Sequence, residues 1–176
     1  MSDVTVNDHT LTAKSIAIQK SVAIAVDTGG AGPTPGDTLE YTLSIQVSDF
    51  FAMQDLVLTD VISDGQRRDP AFVPTLAVAE HSGGSLAAAA MNAGNFAFVV
   101  ATGTTGETTA TFQIGPEQVL RGLDARLLGG CVPAGGTGGP PPDCTTFNGG
   151  ATTVTVVYRT VIQDSFTDTF PSGDAS

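Results

Sequence analysis

The sequence is poor in charged residues, which make up only 14% of its 176 residues. It also has no tryptophan. Seven Lys and Arg residues stand against 18 Asp and Glu, giving a formal net charge of −11. Nucleic acid and anionic membranes would repel such a polyanion, which disfavours phosphate binding, and the acidity is explained by solubility. No apolar run has the length that crosses a bilayer. We therefore expect neither a nucleic-acid partner nor membrane insertion.

The first ten residues, MSDVTVNDHT, are polar, so we expect no signal peptide in this sequence. Two explanations stay open: a cytosolic protein, or a recombinant fragment of a secreted parent with Met1 as its start codon.

Cysteine is scarce as well, and Cys131 and Cys144 flank the loop VPAGGTGGPPPD. A disulfide across this loop would contribute about 3 kcal/mol in the chain-entropy model. Two cysteines are too few for a zinc site, since His9 and His81 lie far away in sequence. We predict a Cys131–Cys144 disulfide, hence an extracellular parent, with no metal and no other cofactor.

Strand patterns occupy most of the chain, which also contains 21 Gly and 10 Pro. Residues 38–47, TLEYTLSIQV, alternate between apolar and polar and follow the turn PTPGD, and residues 152–162, TTVTVVYRTVI, form another strand. Further strands are predicted at 15–24, 55–62, 72–79, 96–101 and 108–114. About seven strands with turns between them predict an all-β, immunoglobulin-like sandwich.

One segment breaks the strand pattern. Residues 115–130, GPEQVLRGLDARLLGG, have Pro near their start and Gly at their end, which predicts one short connecting helix. The domain organisation is then an N-terminal extension at 1–13, one sandwich domain at 14–170 and a truncated connection at 171–176. The Gly/Pro-rich loop at 129–150 belongs to the sandwich domain.

Two charged residues occupy positions that should be apolar. In SIAIQKSVAI (15–24), Lys20 shares its strand face with four branched aliphatic residues, and in DLVLTDVI (55–62), Asp60 shares its face with Leu and Ile. A lone buried charge costs several kcal/mol, and breaking a buried pair costs about 3–5 kcal/mol. We therefore predict that Lys20 and Asp60 meet on neighbouring strands.

Burial disfavours both charged forms, so a proton can pass from the ammonium to the carboxylate. The products are a nucleophilic amine and a carboxylic acid, which together can attack a side-chain amide. Two simpler interpretations remain open: an ordinary buried ion pair, or side chains near strand ends that reach water.

Three stretches carry a family resemblance: IQKSVAI, PGDTLEYTLSIQV and DLVLTDVISDG. They resemble the conserved-repeat, immunoglobulin-like domains of bacterial surface proteins, many of which are isopeptide-forming domains of fimbrial subunits and adhesins. The resemblance runs from about residue 17 to residue 174. It implies a CnaA/CnaB-like β-sandwich at the cell surface, with Lys20 as the nucleophile and Asp60 as the catalytic acid and proton shuttle. Such chemistry is a single-turnover reaction, so no enzyme is expected.

The family also has an acceptor asparagine on a final strand, after a stretch like YRTVIQDSFTDTFPSGDAS (158–176). The asparagines of the sequence all precede that point: Asn7, Asn92, Asn95 and Asn148. Asp164 and Asp168 are the alternative acceptors, but they follow the strand that ends at Ile162 and lie in a polar connecting segment. The chain is therefore expected to be the larger half of a split domain, which binds and ligates a peptide carrying the missing strand. A careless boundary or a natural fragment, with neighbouring domains of the parent as partners, are the alternatives.

A second function class is a non-reactive binding module, for carbohydrate or protein, in which Lys20 and Asp60 form a plain ion pair. A hydrolase is disfavoured, since no nucleophile elbow, triad or metal motif is present. Asp60, Asp64, Gly65 and Asp69 only faintly resemble a calcium loop and are better explained by a turn.

Overall fold

The computed structural model describes residues 15–79, 84–101, 105–132 and 152–166. The described chain is dominated by antiparallel strands. In chain order they are β1 (Ile16–Val26), β2 (Thr38–Val47), β3 (Ala52–Gln54), β4 (Val57–Ile62), β5 (Gln66–Arg68), β6 (Thr75–Ala79), β7 (Leu86–Ala90), β8 (Phe96–Val100), β9 (Thr108–Gln113), β10 (Arg126–Leu128) and β11 (Thr152–Ile162). A 3₁₀ turn at Ala93–Asn95 and one α-helix, α1 (Ile114–Leu120), complete the described elements.

Two sheets form the sandwich. The larger has the order β1-β2-β11-β6-β7, with β5 beside β11, and the smaller has the order β4-β9-β8. Strands β3 and β10 form a separate two-stranded pair. Residues of both sheets join one buried cluster, to which Val156 and Tyr158 belong on one side and Ile62 and Phe112 on the other. The predicted all-β, immunoglobulin-like sandwich with a short helix is confirmed.

The centre of the larger sheet follows directly from period-2 alternation. The predicted strands at 38–47 and 152–162 match β2 and β11, and they pair antiparallel with Tyr41 opposite Tyr158. In β11, alternate residues are buried from Thr152 to Thr160. Side chains of one parity therefore line the core, as strand geometry requires.

The helix predicted at 115–130 is wrong in length. α1 spans seven residues and is followed by Gly122, whose φ of +86° favours glycine and turns the chain away. Leu127 and Leu128 lie in β10 instead, where both are buried. Among the residues that the structure describes, no helix is long and apolar enough to cross a membrane.

Several predicted features fall outside the described residues. These are the N-terminal extension at 1–13, the connection at 171–176 and most of the loop at 129–150. Cys131 is described and its backbone N–H donates to the carbonyl of Asp49, but Cys144 is not described. The disulfide therefore stays a prediction.

Candidate functional site

Lys20 lies near the middle of β1, which is an edge strand. Within the described part of the chain β1 pairs with β2 alone, and Lys20 stands opposite Leu43. Because Leu43 is a core residue, its cross-strand neighbour Lys20 points to the same inner side of the sheet. The sheet itself therefore directs the Lys20 amine towards the second layer of the sandwich.

Asp60 reaches the same place from the facing sheet. It lies on β4, opposite the fully buried Ala110 of β9. The Lys20 Nζ atom is 2.9 Å from Oδ1 and 2.8 Å from Oδ2 of Asp60, so the amine contacts both carboxylate oxygens. The pair joins the edge strand of one sheet to the edge strand of the other. The structure thus brings together the two residues that the parity argument selected.

Tyr158 is the third member of the site. Its ring is fully buried on β11, and its hydroxyl donates a 2.5 Å hydrogen bond to Oδ2 of Asp60. Burial, reinforced by the hydrogen bond to Asp60, raises the pKa of the Tyr158 hydroxyl well above its ordinary value. The phenol therefore acts only as a hydrogen-bond donor, which holds one oxygen of the carboxylate in place.

The strand predicted at 152–162 contains Tyr158, but the sequence analysis did not include its hydrogen bond to Asp60. The ring is buried in the core, and its hydroxyl reaches Asp60 on the facing sheet. The available signal was its parity: Tyr158 shares the inward face of its strand, and a buried phenol needs a hydrogen-bond partner. Asp60 is an inward-facing acceptor on the opposite sheet.

Tyr41 supports the same cluster from β2. Its ring stacks on that of Tyr158, with centroids 5.0 Å apart and planes at 11°. The Lys20 Nζ atom lies 4.8 Å from the centroid of the Tyr41 ring, within the range of a cation–π interaction. The Tyr41 hydroxyl donates to Oε1 of Gln66. An aromatic wall therefore flanks the amine on its inner side.

The outer side of the amine is open, which corrects the expectation of a dry interior. The Lys20 side chain is 39% exposed, whereas that of Asp60 is 14% exposed. Ile18 and Val22, on either side of Lys20 along the same face, are 59% and 56% exposed. The physical reason is that β1 and β4 are both edge strands, and no described strand covers the gap beside them. We call the exposed apolar face of Ile18, Lys20, Val22 and Ile24 the β1 face.

The candidate acceptors do not lie at this site in the described chain. Asn92 and Asn95 contact the buried carboxylate of Glu117 through a backbone N–H and a side-chain amide. Asp164 is exposed beyond the end of β11. Asn7, Asn148 and Asp168 lie outside the described residues.

The turn before β2 contains a carboxylate that sequence reasoning treated only as part of a turn. Asp37 is buried and accepts hydrogen bonds from the backbone N–H and hydroxyl groups of Thr28 and Thr34. These hydrogen bonds, led by the one from the Thr28 backbone, lower the pKa of Asp37 to about 2. Asp37 therefore holds the β1–β2 connection and with it the position of β1.

The faint calcium-loop pattern is a turn in the structure. Asp64 accepts from the backbone N–H of Gly65 and forms an ion pair with Arg67, and Asp69 accepts from the N–H of Ala71. Within the described ranges, no three His, Cys, Asp or Glu residues are grouped as metal ligands.

The chain is similar to two solved structures of a pilus protein. No protein-family model and no curated protein matches the sequence. Among solved structures, the pilus backbone protein RrgB of Streptococcus pneumoniae matches with a TM-score of 0.39 and 11% identity, over 84% of this chain and 46% of that chain. The full-length RrgB pilus protein matches with a TM-score of 0.35 and 15% identity, over 85% of this chain and 20% of that chain. The chain thus spans less than half the length of either.

Proposed function

We propose that this chain is a structural module of a bacterial cell-surface protein of the adhesin or fimbrial type, which forms an isopeptide bond between Lys20 and an asparagine on an added strand. The observation that carries the proposal is the contact between the Lys20 amine and both oxygens of Asp60, at the uncovered edge of the sandwich. A lysine amine, a carboxyl group and an open strand edge are the components that such a reaction needs.

The reaction balances as an amide exchange. Asp60 takes a proton from the Lys20 ammonium, and the neutral amine attacks the side-chain carbonyl carbon of the asparagine. The protonated Asp60 donates a hydrogen bond to the carbonyl oxygen and gives its proton to the leaving nitrogen, and the carboxylate so restored takes the second proton from Nζ. A C–N bond to Nζ forms, the bond to the amide nitrogen breaks, and ammonia leaves. An aspartate acceptor would release water instead.

The added strand also supplies the dry environment that the unpaired module lacks. A strand alongside the free edge of β1 forms main-chain hydrogen bonds, and its inward side chains cover Ile18 and Val22. The residue opposite Lys20 would have its Cβ roughly 4.5–5.5 Å from that of Lys20. Excluding water from the ion pair then favours the neutral amine and acid. Binding and activation of the amine are therefore coupled.

The strand can be supplied in trans by a peptide, which makes the chain one partner of a ligation pair, or by a neighbouring domain of the parent protein. The product bond stays within the assembly, so the reaction is a single turnover and not enzymatic catalysis. A covalent link between strands would resist pulling and proteolysis, as an extracellular stalk requires.

A non-reactive binding module is the second candidate. The 39% exposure of the Lys20 side chain favours this candidate. Water stabilises both charged groups of the ion pair and so opposes the proton transfer that ligation needs. In that case the exposed β1 face would bind a protein or carbohydrate without covalent chemistry.

Intact-mass spectrometry distinguishes the two candidates. The probe is a synthetic peptide of about eleven residues, the length of β1, with a central asparagine, apolar residues two positions to either side and polar residues between them. After incubation at neutral pH, we expect an adduct whose mass is the sum of protein and peptide minus one ammonia. The protein alone should show no loss of ammonia or water, apart from the two hydrogens of a disulfide.

The sequence offers a matched control, since its two lysines are Lys14 and Lys20. Lys20→Arg keeps the positive charge but removes the nucleophile, so it should abolish the adduct, as should Asp60→Ala. Lys14→Arg should leave the adduct unchanged. Peptide binding without any adduct at saturation would refute ligation and leave the non-reactive module.

A further inference from the structure

A second open cleft lies at the edge of the sandwich away from Lys20. The smaller sheet has two edge strands, β4 and β8. Asp60 lies on β4, whereas the cleft lies beside β8. The cleft has a volume of about 730 Å³, within the range of ligand pockets, and is bordered by residues of β5, β7 and β8. It therefore shares no residue with the Lys20 site, and a ligand there is independent of the proposed ligation.

Arg68 is the charged group of this cleft that forms no ion pair with any residue in the described ranges. Its guanidinium lies 5.0 Å from the Phe96 ring centroid and 5.5 Å from that of Phe98. Its Nε–H is buried, and within the residues that the structure describes it donates to no acceptor and Arg68 forms no ion pair. Contact with the two rings positions the guanidinium, while none of its N–H groups donates to an acceptor in the described part of the chain.

The other arginines of the chain show how unusual this is. Each has polar partners: Arg67 with Asp64, Arg121 with the carbonyls of Leu76 and Ala87, Arg126 with Asp124, and Arg159 with Glu40. In a chain with a net charge of −11, carboxylates are abundant, yet Arg68 contacts two phenyl rings instead. A positioned guanidinium with free donors matches the bidentate geometry of a carboxylate.

Apart from Arg67 and Thr108, the remaining lining residues of the cleft are apolar. Val73, Ala90, Met91 and Val100 border the cleft beside the two rings. We propose that this cleft binds a carboxylate attached to an apolar body, such as a small aromatic acid or the C-terminal residue of a peptide. The Arg68 guanidinium holds the carboxylate, and the apolar body packs against these walls.

A pair of isosteric probes tests the proposal on the unaltered protein. Hippurate carries an aromatic ring and a carboxylate, and its amide, hippuramide, has the same shape without the charge. We expect hippurate to shift the Arg68 side-chain N–H resonance and the Phe96 and Phe98 resonances saturably in NMR titrations. Hippuramide should bind about tenfold more weakly or worse, because the charged hydrogen bonds are lost. A peptide ending in free phenylalanine, run in parallel, identifies which source of the carboxylate binds more tightly.

Two variants complete the test. Arg68→Gln should reduce hippurate binding to the level of hippuramide, with no loss of an ion pair among the described residues. Arg126→Gln, which removes a surface arginine paired with Asp124, should leave hippurate binding unchanged. Equal binding of acid and amide to the unaltered protein, no saturable shift with any acid, or unchanged binding by Arg68→Gln would each overturn the proposal.

Discussion

Replacing Tyr158 by phenylalanine isolates the hydrogen bond that holds Asp60. The ring stays in place against Tyr41, Phe98 and Phe112, with centroids 5.0, 5.8 and 5.4 Å away, so packing is preserved. What is lost is one hydrogen bond to a charged acceptor, worth about 1.5–3 kcal/mol. Because Asp60 keeps its contact with Lys20, we expect the lower end, about 1.5 kcal/mol of unfolding free energy.

Tyr41→Phe is the matched control, since the Tyr41 hydroxyl donates to the neutral Oε1 of Gln66, which also accepts from Thr160. Its expected cost is about 0.5 kcal/mol. Urea denaturation followed by circular dichroism measures both, because the sequence has no tryptophan and each variant removes one of two tyrosines. The melting temperature of Tyr158→Phe should fall by about 3–6 °C. A Tyr158→Phe variant no less stable than Tyr41→Phe would refute the assigned role of the phenol.

Three further variants test other parts of the structure. Asp37→Asn should destabilise the fold at pH 7, and the difference from wild type should shrink between about pH 4 and about pH 2. The sign follows from the lowered pKa: the stability that ionised Asp37 contributes is present above the unfolded pKa and lost as pH falls through the folded one. Gly129→Ala should cost about 3 kcal/mol in urea denaturation, since its Cβ would overlap the backbone of Ser48 and Asp49. Val22→Thr should leave the melting temperature unchanged, because Val22 is exposed, but weaken peptide binding in calorimetry. A pH-independent Asp37→Asn effect, a neutral Gly129→Ala or unaltered peptide affinity of Val22→Thr would contradict these assignments.

The long strands could be predicted from the sequence because their signal is repeated. β2 and β11 alternate over ten and eleven residues, enough to define both the strand and its buried face. The short strands β3, β5 and β10 have three residues each, too few for a period to be visible. β7 consists mostly of alanine, which favours strands weakly, so it too was missed.

The candidate site, too, could be predicted from the sequence only in part. Parity placed Lys20 and Asp60 on inward faces, and the structure brings their charged groups into contact. Parity could not predict the exposure of the β1 face, because exposure depends on which strands lie opposite β1 and not on the alternation of β1 itself. The role of Tyr158 depends on the distance between the two sheets, which a single sequence does not contain.

The end of α1 was also predicted wrongly from the sequence, because the predicted helix continued to residue 130 whereas α1 ends at Leu120. Leu123, Leu127 and Leu128 continue a helical spacing, but Gly122 interrupts it and Leu127 is buried in pairing with Met53. A single residue with positive φ outweighed the periodicity, because the pairing of β10 with β3 stabilises the alternative.

Ligation requires that the Lys20 amine itself, and not merely the β1 face, reacts with an asparagine on an added strand. Tandem mass spectrometry of the proteolysed product, after the protein is mixed with the asparagine peptide, locates the new bond. We expect a branched fragment in which the Lys20 side chain is joined to the asparagine side chain with loss of ammonia. A peptide that binds but yields only linear fragments, or a branch at Lys14, would contradict it.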